Sequence, residues 1–278
     1  MSGVLFGGPD DTAADRAKPR TPGIAQVLIT VKAAPQPSST HRETVCVAGL
    51  RLDNERPGWI RLYPINFREL DSVEQFRKYS IITVPVTPAR KDNRLESWNP
   101  NTGQLTVIHH LKDWTARKPY VEPWIGSTTC ELIQEAEESS TSPSLGLIRP
   151  ADIDRFDSKP HPGWTEREQQ IIDTYVNQAP LFGPHDPRPL QAPRFTCSYR
   201  YRCQATRCKG HTGSLLDWEV VVFQRRLTSH TDGEAADALH RRFFDEICSP
   251  NKDTCFYVGN QAKRRQTFSI LGLWYPKK

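Results

Sequence analysis

Several signatures that would assign a function directly are missing from this sequence. It has no glycine-rich phosphate-binding loop, no His-Glu-x-x-His, no Gly-x-Ser-x-Gly and no Cys-x-x-Cys pair. It also lacks the combination of His-x-Glu with a downstream Cys-x-x-Cys that zinc deaminases carry. The common classes of kinase, hydrolase and deaminase are therefore not indicated.

Long apolar stretches are missing too. A membrane helix needs a run of about 18 apolar residues, which this sequence does not have. The polar start, up to Pro22, has no apolar core of a signal peptide, so we expect a cytoplasmic protein with no membrane partner. The 7 cysteines are an odd number, and in that compartment they favour free thiols and a metal site over disulfides.

The order of apolar and polar residues predicts an α+β protein. We expect a disordered leader at 1–22, a strand-rich, barrel-like region at 23–149 and a basic α+β region at 150–278. A capping-box spacing at Asp71 and Glu74 predicts a short helix within the first region. The strands predicted there include Gln26–Lys32, Thr44–Leu50, Gly58–Tyr63, Ser80–Val86 and Cys130–Gln134.

The second region is predicted to alternate helices and strands. Thr165 and Glu168 form a capping box ahead of a helix that ends near Gln178. The next segment, Ala179–Pro193, contains 5 prolines and is predicted to be a rigid connector. A helix that starts at Thr231 or Asp232 and two strands, Cys255–Gly259 and Thr267–Tyr275, complete the chain.

The stretch Phe195–Phe223 brings together metal-ligand residue types, acids, aromatics and positive charge. Its first part alternates apolar or sulfur-bearing residues with basic ones such as Arg200 and Arg202, which predicts a strand with a basic face. A loop follows, and the Val-rich run Leu215–Phe223 predicts a second strand.

Four residues of this stretch form a candidate zinc site: Cys197, Cys203, Cys208 and His211. Thiolates and imidazole suit zinc, although the gaps of 5, 4 and 2 residues between the four do not give the paired spacing of familiar zinc fingers. Cys248 or Cys255 can replace Cys197 as the fourth ligand. The structural alternative is that Cys197 is a buried apolar residue and His211 an ordinary loop histidine.

Asp217 and Glu219 form a candidate catalytic pair. On the predicted second strand they point to one face, where they can activate a water or hold a divalent ion. The nearby His211 is a third candidate catalytic residue. The alternative is a solvated strand face, with the acids paired to nearby arginines such as Arg225.

Positive charge is concentrated at the end of the chain. Residues 194–278 carry 15 Lys and Arg against 8 Asp and Glu, whereas the preceding residues carry 22 against 24. This asymmetry favours a nucleic acid as partner over a merely solvated basic face, and no obligate protein partner is indicated. The residues predicted to contact nucleic acid are Arg200, Arg202, Lys263, Arg264, Arg265, Trp59, Arg61, Tyr63 and Asn66.

Several motifs resemble a family of poorly characterised bacterial proteins. They are Gly58-Trp-Ile-Arg-Leu-Tyr-Pro64, Cys203, Cys208-Lys-Gly-His211, Asp217-Trp-Glu219, Phe256-Tyr-Val-Gly-Asn260 and Phe268-Ser-Ile-Leu-Gly-Leu-Trp-Tyr-Pro276. The resemblance implies a role in defence against phage, and within that a DNA glycosylase that removes modified bases. It assigns no catalytic residue.

The sequence therefore predicts a hydrolase that acts on DNA, with an N-glycosidic bond of a modified base as its target. In this hypothesis Asp217 or Glu219 positions the water and the basic C-terminal region holds the backbone. Two alternatives stay open: a metal-dependent nuclease that uses the same acids as ion ligands, and a zinc-stabilised module that only binds nucleic acid.

Overall fold

A computed structural model describes residues 21–38, 42–53, 58–66, 75–177 and 189–278. Almost all of the predicted leader, the capping box at Asp71 and Glu74, and residues 179–188 of the proline-rich connector lie outside the described residues. Within the described part, the chain is a mixed α+β protein, as its sequence predicts.

The N-terminal part consists of seven strands. Their bounds are β1 (Gly23–Lys32), β2 (Gln36–Ser38), β3 (Arg42–Arg51), β4 (Gly58–Ile65), β5 (Ser80–Pro88), β6 (Ser97–Pro100) and β7 (Thr106–His110). Five of them close into a barrel in the order β1-β3-β4-β6-β5, because β5 also pairs with β1. All the barrel pairs are antiparallel except β4 with β6. The predicted barrel-like fold is thus confirmed.

Strand β1 packs both inside the barrel and against the C-terminal part. Val27 and Ile29 lie in the barrel core, whereas Leu28 and Val31 belong to a second apolar cluster. That second cluster includes Tyr257 and other residues of the C-terminal part. Both faces of β1 are therefore buried, which accounts for its nearly continuous apolar run.

The C-terminal part is organised on a six-stranded sheet in the order β8-β12-β13-β11-β10-β9. Its neighbours are antiparallel except β11 with β13. The strands are β8 (Leu145–Ile148), β9 (Pro150–Pro160), β10 (Phe195–Cys203), β11 (His211–Leu215), β12 (Cys255–Gln261) and β13 (Arg264–Trp274). The predicted strands at 255–259 and 267–275 correspond to β12 and β13.

Five α-helices accompany the sheets within the described residues. The predicted capping box of Thr165 and Glu168 is present at the start of one of them. The helix predicted to start at Thr231 or Asp232 is also present, and Thr231 and Glu234 form a capping box there. The helices are α1 (Trp114–Val121), α2 (Thr129–Glu138), α3 (Glu166–Val176), α4 (Trp218–Arg225) and α5 (Asp232–His240), the last followed by a π-helical stretch, Arg241–Glu246.

Two predicted strands are wrong. Cys130–Gln134 lies in α2, where Leu132 and Ala136 form a buried stripe with helical spacing. Most of Leu215–Phe223 lies in α4, although its three valines favour a strand. The side chain of Asp217 accepts a hydrogen bond from the backbone N–H of Glu219 and caps this helix, so tertiary packing and capping outweigh propensity.

No helix of the described residues is both long and apolar enough to cross a membrane.

Candidate metal centre and lysine–acid site

Three of the four predicted metal ligands lie together, and a cysteine from elsewhere in the chain completes the set. The ligand atoms of Cys130, Cys203, Cys208 and His211 all lie within 4.8 Å of one another. We call these four residues the Cys3His cluster. They can hold a metal ion.

Strands β10 and β11 bring the three local ligands to one point. Cys203 ends β10 and His211 begins β11, and Cys208 lies in the loop between them. Gly210 has a φ of 97°, a left-handed conformation that a residue with a Cβ rarely adopts. This turn allows Cys208 and His211 to face each other, with 3.2 Å between Sγ and Nε2.

The fourth ligand, Cys130, comes from the first turn of α2. Thr128 and Glu131 form a capping box at the start of this helix. The hydroxyl of the neighbouring Thr129 shares a hydrogen bond of 3.1 Å with the phenol of Tyr201 on β10. This bond fixes the start of α2 against β10, so that Cys130 lies beside Cys203.

The spacing within the cluster suits a tetrahedral ion. The Sγ atoms of Cys130 and Cys203 are 3.5 Å apart, and Cys130 Sγ is 3.4 Å from His211 Nε2. A tetrahedral zinc site with ordinary bond lengths separates its ligand atoms by roughly 3.4 to 3.8 Å. These two distances match that geometry, and all four ligand atoms lie within 4.8 Å of one another.

The surroundings of the cluster favour a thiolate at Cys203. Burial opposes ionisation there, but hydrogen bonds involving the backbone of Ala205 and Cys130 and the side chain of His211 lower the pKa of Cys203 to about 6. Burial and the neighbouring Cys203 raise the pKa of Cys130 to about 12. A cation held among the thiols would favour ionisation of all of them, because a metal ligand must be deprotonated.

Cys197 is not part of this cluster, which corrects the predicted ligand set. It is buried in the apolar core of the C-terminal part, where its Sγ accepts a hydrogen bond from Gln224 Nε2 at 3.8 Å. The alternative interpretation of Cys197, as a buried apolar residue, is therefore the correct one. Neither Cys248 nor Cys255 takes its place: burial raises the pKa of each thiol to about 12, and neither belongs to the cluster.

The predicted acid pair lies in a second site, which Lys78 completes. The Lys78 ammonium donates to Asp217 Oδ2 at 2.9 Å and lies 3.3 Å from Glu219 Oε2. The side chain of Asp217 is 1% exposed and that of Glu219 is 52% exposed. We call these three residues the lysine–acid site.

Burial controls the ionisation of this site. It raises the pKa of Asp217 above its ordinary value, with Lys78 opposing. Burial alone would lower the pKa of Lys78, but the carboxylates of Asp217 and Glu219 outweigh it and raise that pKa. Nearby, burial lowers the pKa of Lys32 to about 8, although the same two carboxylates oppose this.

The lysine–acid site joins the barrel to the C-terminal part. Asp217 forms a β-bridge with Ala33, which follows β1, and Ala34 N donates to Leu216 O at 2.7 Å. Lys78 precedes β5 of the barrel. Asp217 is therefore enclosed between two parts of the fold and is not the open water-positioning group that the sequence predicts.

The two sites lie at opposite ends of β11. His211 begins this strand and Asp217 follows its last residue by two, which is about 20 Å of extended chain. His211 therefore lies with the cysteines. This corrects the prediction that it lies near Asp217 and Glu219.

A shallow cleft adjoins the Cys3His cluster and displays predicted nucleic-acid contacts. Arg200 and Arg202 of β10 line it together with Lys209, which lies between two ligands in sequence. All three side chains are exposed. Asp152 and Asp154 of β9 line it as well, and Asp152 contacts Arg202 at 3.4 Å.

The three basic residues of the β12–β13 hairpin differ in exposure and in hydrogen bonding. Lys263 and Arg264 are exposed. The guanidinium of Arg265 donates to Ser139 O and to Ser142 Oγ, at 2.5 and 3.0 Å. Arg265 is thus engaged within the protein, whereas its two neighbours can contact a ligand.

The predicted nucleic-acid contacts on β4 and just after it, Trp59, Arg61, Tyr63 and Asn66, are largely packed within the fold. Arg61 is buried and donates to the backbone carbonyl oxygens of Ser144 and Asn260. Trp59 packs edge-on against Trp124 and Tyr257. Asn66 is partly buried, so Tyr63, at 36% exposure, is the most open member of the group.

Sequence reasoning missed Cys130 and Lys78. Cys130 is 73 residues before Cys203, so no local spacing connects them. The Thr128–Glu131 capping box was the available signal, since it places Cys130 on a helix. Nothing in the local sequence links Lys78 with Asp217, which is 139 residues away.

Comparison with known proteins divides the chain into two matched regions. Residues 24–123 match the family model described as Domain of unknown function (DUF8758). Residues 125–278 match the model described as Domain of unknown function (DUF8757). A search of curated proteins finds no match. Because the second match covers more than half of the 278 residues, the chain belongs to the DUF8757 family.

Proposed function

We propose that this protein binds nucleic acid through a basic surface that a structural zinc ion holds in place. The observation that carries the proposal is the Cys3His cluster, whose loop also presents Lys209 to the adjoining cleft. The ion would fix the β10–β11 loop against α2, and with it the basic side chains of the cleft.

The donor set supports zinc in particular. Three sulfur atoms and one imidazole nitrogen, with no carboxylate among them, are typical of structural zinc sites. Four protein ligands fill a tetrahedron, so no position would be left for a substrate or a reactive water. The ion would therefore stabilise the fold and take no part in chemistry.

The charge distribution supports a polyanionic partner. Arg200, Arg202 and Lys209 are exposed on one cleft, and residues 194–278 hold the surplus of positive charge. Phosphate contacts by Lys and Arg provide most of the affinity in nonspecific nucleic-acid binding, and they weaken as salt increases.

The proposal is tested by measuring zinc content and salt-dependent binding of duplex DNA. We expect Arg200→Gln with Arg202→Gln to weaken binding roughly tenfold and to reduce the salt dependence. The control, Arg226→Gln with Arg241→Gln, removes the same charge from exposed positions elsewhere and should bind like the wild type. Equal binding by the two double variants would exclude this cleft as the binding surface.

A second candidate function is excision of a modified base from DNA, in defence against phage. Glu219 favours it, because this exposed carboxylate lies 3.3 Å from a buried lysine that can orient it. A carboxylate in such a position can activate water or stabilise a cationic sugar. Asp217 would then hold Lys78 in position through their ion pair and would not contact the substrate.

One assay separates this candidate from its alternatives. Modified and unmodified duplexes are incubated with the protein, with and without EDTA, and the strands are analysed before and after alkali. Breaks that appear only after alkali indicate base excision, and Glu219→Gln should abolish them. Direct breaks that EDTA suppresses indicate a nuclease. Binding without strand breaks indicates a protein that only binds nucleic acid.

A further inference from the structure

One face of the C-terminal sheet is open and carries an alternating set of polar side chains. Strands β9, β10 and β11 form this margin of the sheet. Their inward residues, among them Phe156, Tyr199 and Leu215, are buried in the core. The outward residues that we call the open face are Asp152, Arg155, Asp157, Lys159, Thr196, Ser198, Arg200, Arg202, Thr212 and Ser214.

The register of the strands places the donors of this face side by side. Arg200 pairs with Thr212 on one side and with Arg155 on the other. Thr196 pairs with Lys159 in the same way. Directly paired residues of neighbouring strands point to the same side of a sheet, so hydroxyl and cationic groups lie together there.

Part of the positive charge on the open face is not neutralised. Arg155 forms an ion pair with Asp157 and Arg202 contacts Asp152. Among the described residues, no carboxylate lies within ion-pair distance of Arg200 or Lys159. These two cations and the neighbouring hydroxyls are donors that suit phosphate oxygens.

The open face has no aromatic platform. In the described strands β9, β10 and β11, the aromatic residues Phe156, Phe195, Tyr199 and Tyr201 are all buried. Proteins that hold single strands without sequence preference stack the bases on exposed aromatic rings. Recognition of a duplex backbone needs only phosphate and sugar contacts.

We propose that the open face binds the phosphate backbone of a double-stranded nucleic acid and does not read its bases. This inference rests on the proposed nucleic-acid binding and specifies its substrate class. The binding surface extends from the cleft at Arg200 along the sheet to Lys159 at the far end of β9. Affinity then depends on phosphate contacts and is nearly uniform over sequences.

The test compares a short DNA duplex with each of its separated strands, using several unrelated sequences at about 50 and 200 mM salt. We expect the duplex to bind roughly tenfold more tightly than either strand, with little variation among sequences. Vesicles of phosphatidylserine and phosphatidylcholine serve as a second polyanionic surface and should not bind. Tighter binding of single strands, a strong sequence preference, or equal binding of vesicles would overturn the inference.

Substitution of the two unneutralised cations locates the surface. Arg200→Gln with Lys159→Gln should weaken duplex binding roughly tenfold and lower the salt slope by about 2, whereas Arg226→Gln with Arg241→Gln should not. Unchanged duplex binding by the first pair overturns the inference. If single strands bind more tightly and Arg200→Gln with Arg202→Gln still weakens binding, the proposed nucleic-acid binding stands and only the duplex preference fails. If neither form binds, both proposals fail.

Discussion

The Cys3His cluster and the lysine–acid site make an informative contrast, because one strand, β11, connects them. Each ties together distant parts of the chain: the cluster joins α2 to the β10–β11 loop, and Lys78 joins the barrel to α4. The lysine–acid site neutralises its own buried charge. The cluster groups three thiols and an imidazole, which can hold a metal ion. The lysine–acid site thus has its partners within the protein, whereas the Cys3His cluster offers the donors that a metal ion would need.

Loss of a cluster ligand should have the largest effect. We expect Cys208→Ser to reduce bound zinc from one ion per chain to nearly none and to lower stability by several kcal/mol, since metal binding is coupled to folding. Metal content and thermal unfolding measure both effects. The control, Cys197→Ala, removes a core cysteine that the sequence also suggested as a ligand, and it should keep its zinc. A wild-type protein that is fully folded and metal-free would contradict the zinc proposal.

Loss of Lys78 should have the next largest effect. Lys78→Met leaves the carboxylate of Asp217 buried without its partner, which costs about 3 to 5 kcal/mol. The double variant Lys78→Met with Asp217→Asn should recover part of that loss, because no buried charge remains. Urea unfolding measures the difference, and zinc content should not change.

Lys118→Met is a matched control for this prediction. Lys118 forms an exposed pair with Glu122 at 3.7 Å, and such pairs contribute only about 0.3 to 0.5 kcal/mol. Similar losses from the two lysine substitutions would show that the lysine–acid site has no special role in joining the two parts of the chain.

The contrast also shows which features a single sequence can predict. The α+β class, the N-terminal barrel and three of the cluster residues follow from local patterns. Alternation sets the face of a strand on which a side chain lies, and residues close in sequence stay close in the fold. Cys130 and Lys78 could not be found this way, since they reach their sites only through the packing of distant elements. The strand predicted at Leu215–Phe223 failed because capping by Asp217 and burial at helical spacing outweigh the β-propensity of three valines.

A smaller effect is expected at the turn that shapes the cluster. Gly210→Ala places a Cβ on a residue with φ of 97°, which costs about 1 to 2 kcal/mol. Because the turn brings Cys208 to His211, the affinity for zinc should fall as well. Competition with a chelator measures this affinity. Gly126→Ala is the control: its Cβ would meet nothing within 4 Å, and its φ is not in the left-handed range. Equal zinc affinity in both variants would show that the turn does not limit metal binding.

A comparable effect is expected at another contact between the barrel and the C-terminal part. Asp92 accepts hydrogen bonds from Arg94 and Ser97, and Arg94 also donates to Asn260 O at 2.5 Å. Burial opposes ionisation of Asp92, but these hydrogen bonds outweigh it and lower the pKa of Asp92 from 3.8 to about 2.

Because the pKa is lower in the folded protein, the unfolded chain binds the proton more readily. The stabilisation is fully present above the ordinary pKa and is lost as pH falls toward 2. Asp92→Asn should therefore lower the free energy of unfolding by about 1 to 2 kcal/mol at neutral pH and by much less near pH 2. Urea unfolding over this pH range measures the difference, with exposed Asp237→Asn as the control. If Asp92→Asn costs the same at every pH, the carboxylate does not stabilise this contact through its charge, in contrast with Asp217 of the lysine–acid site.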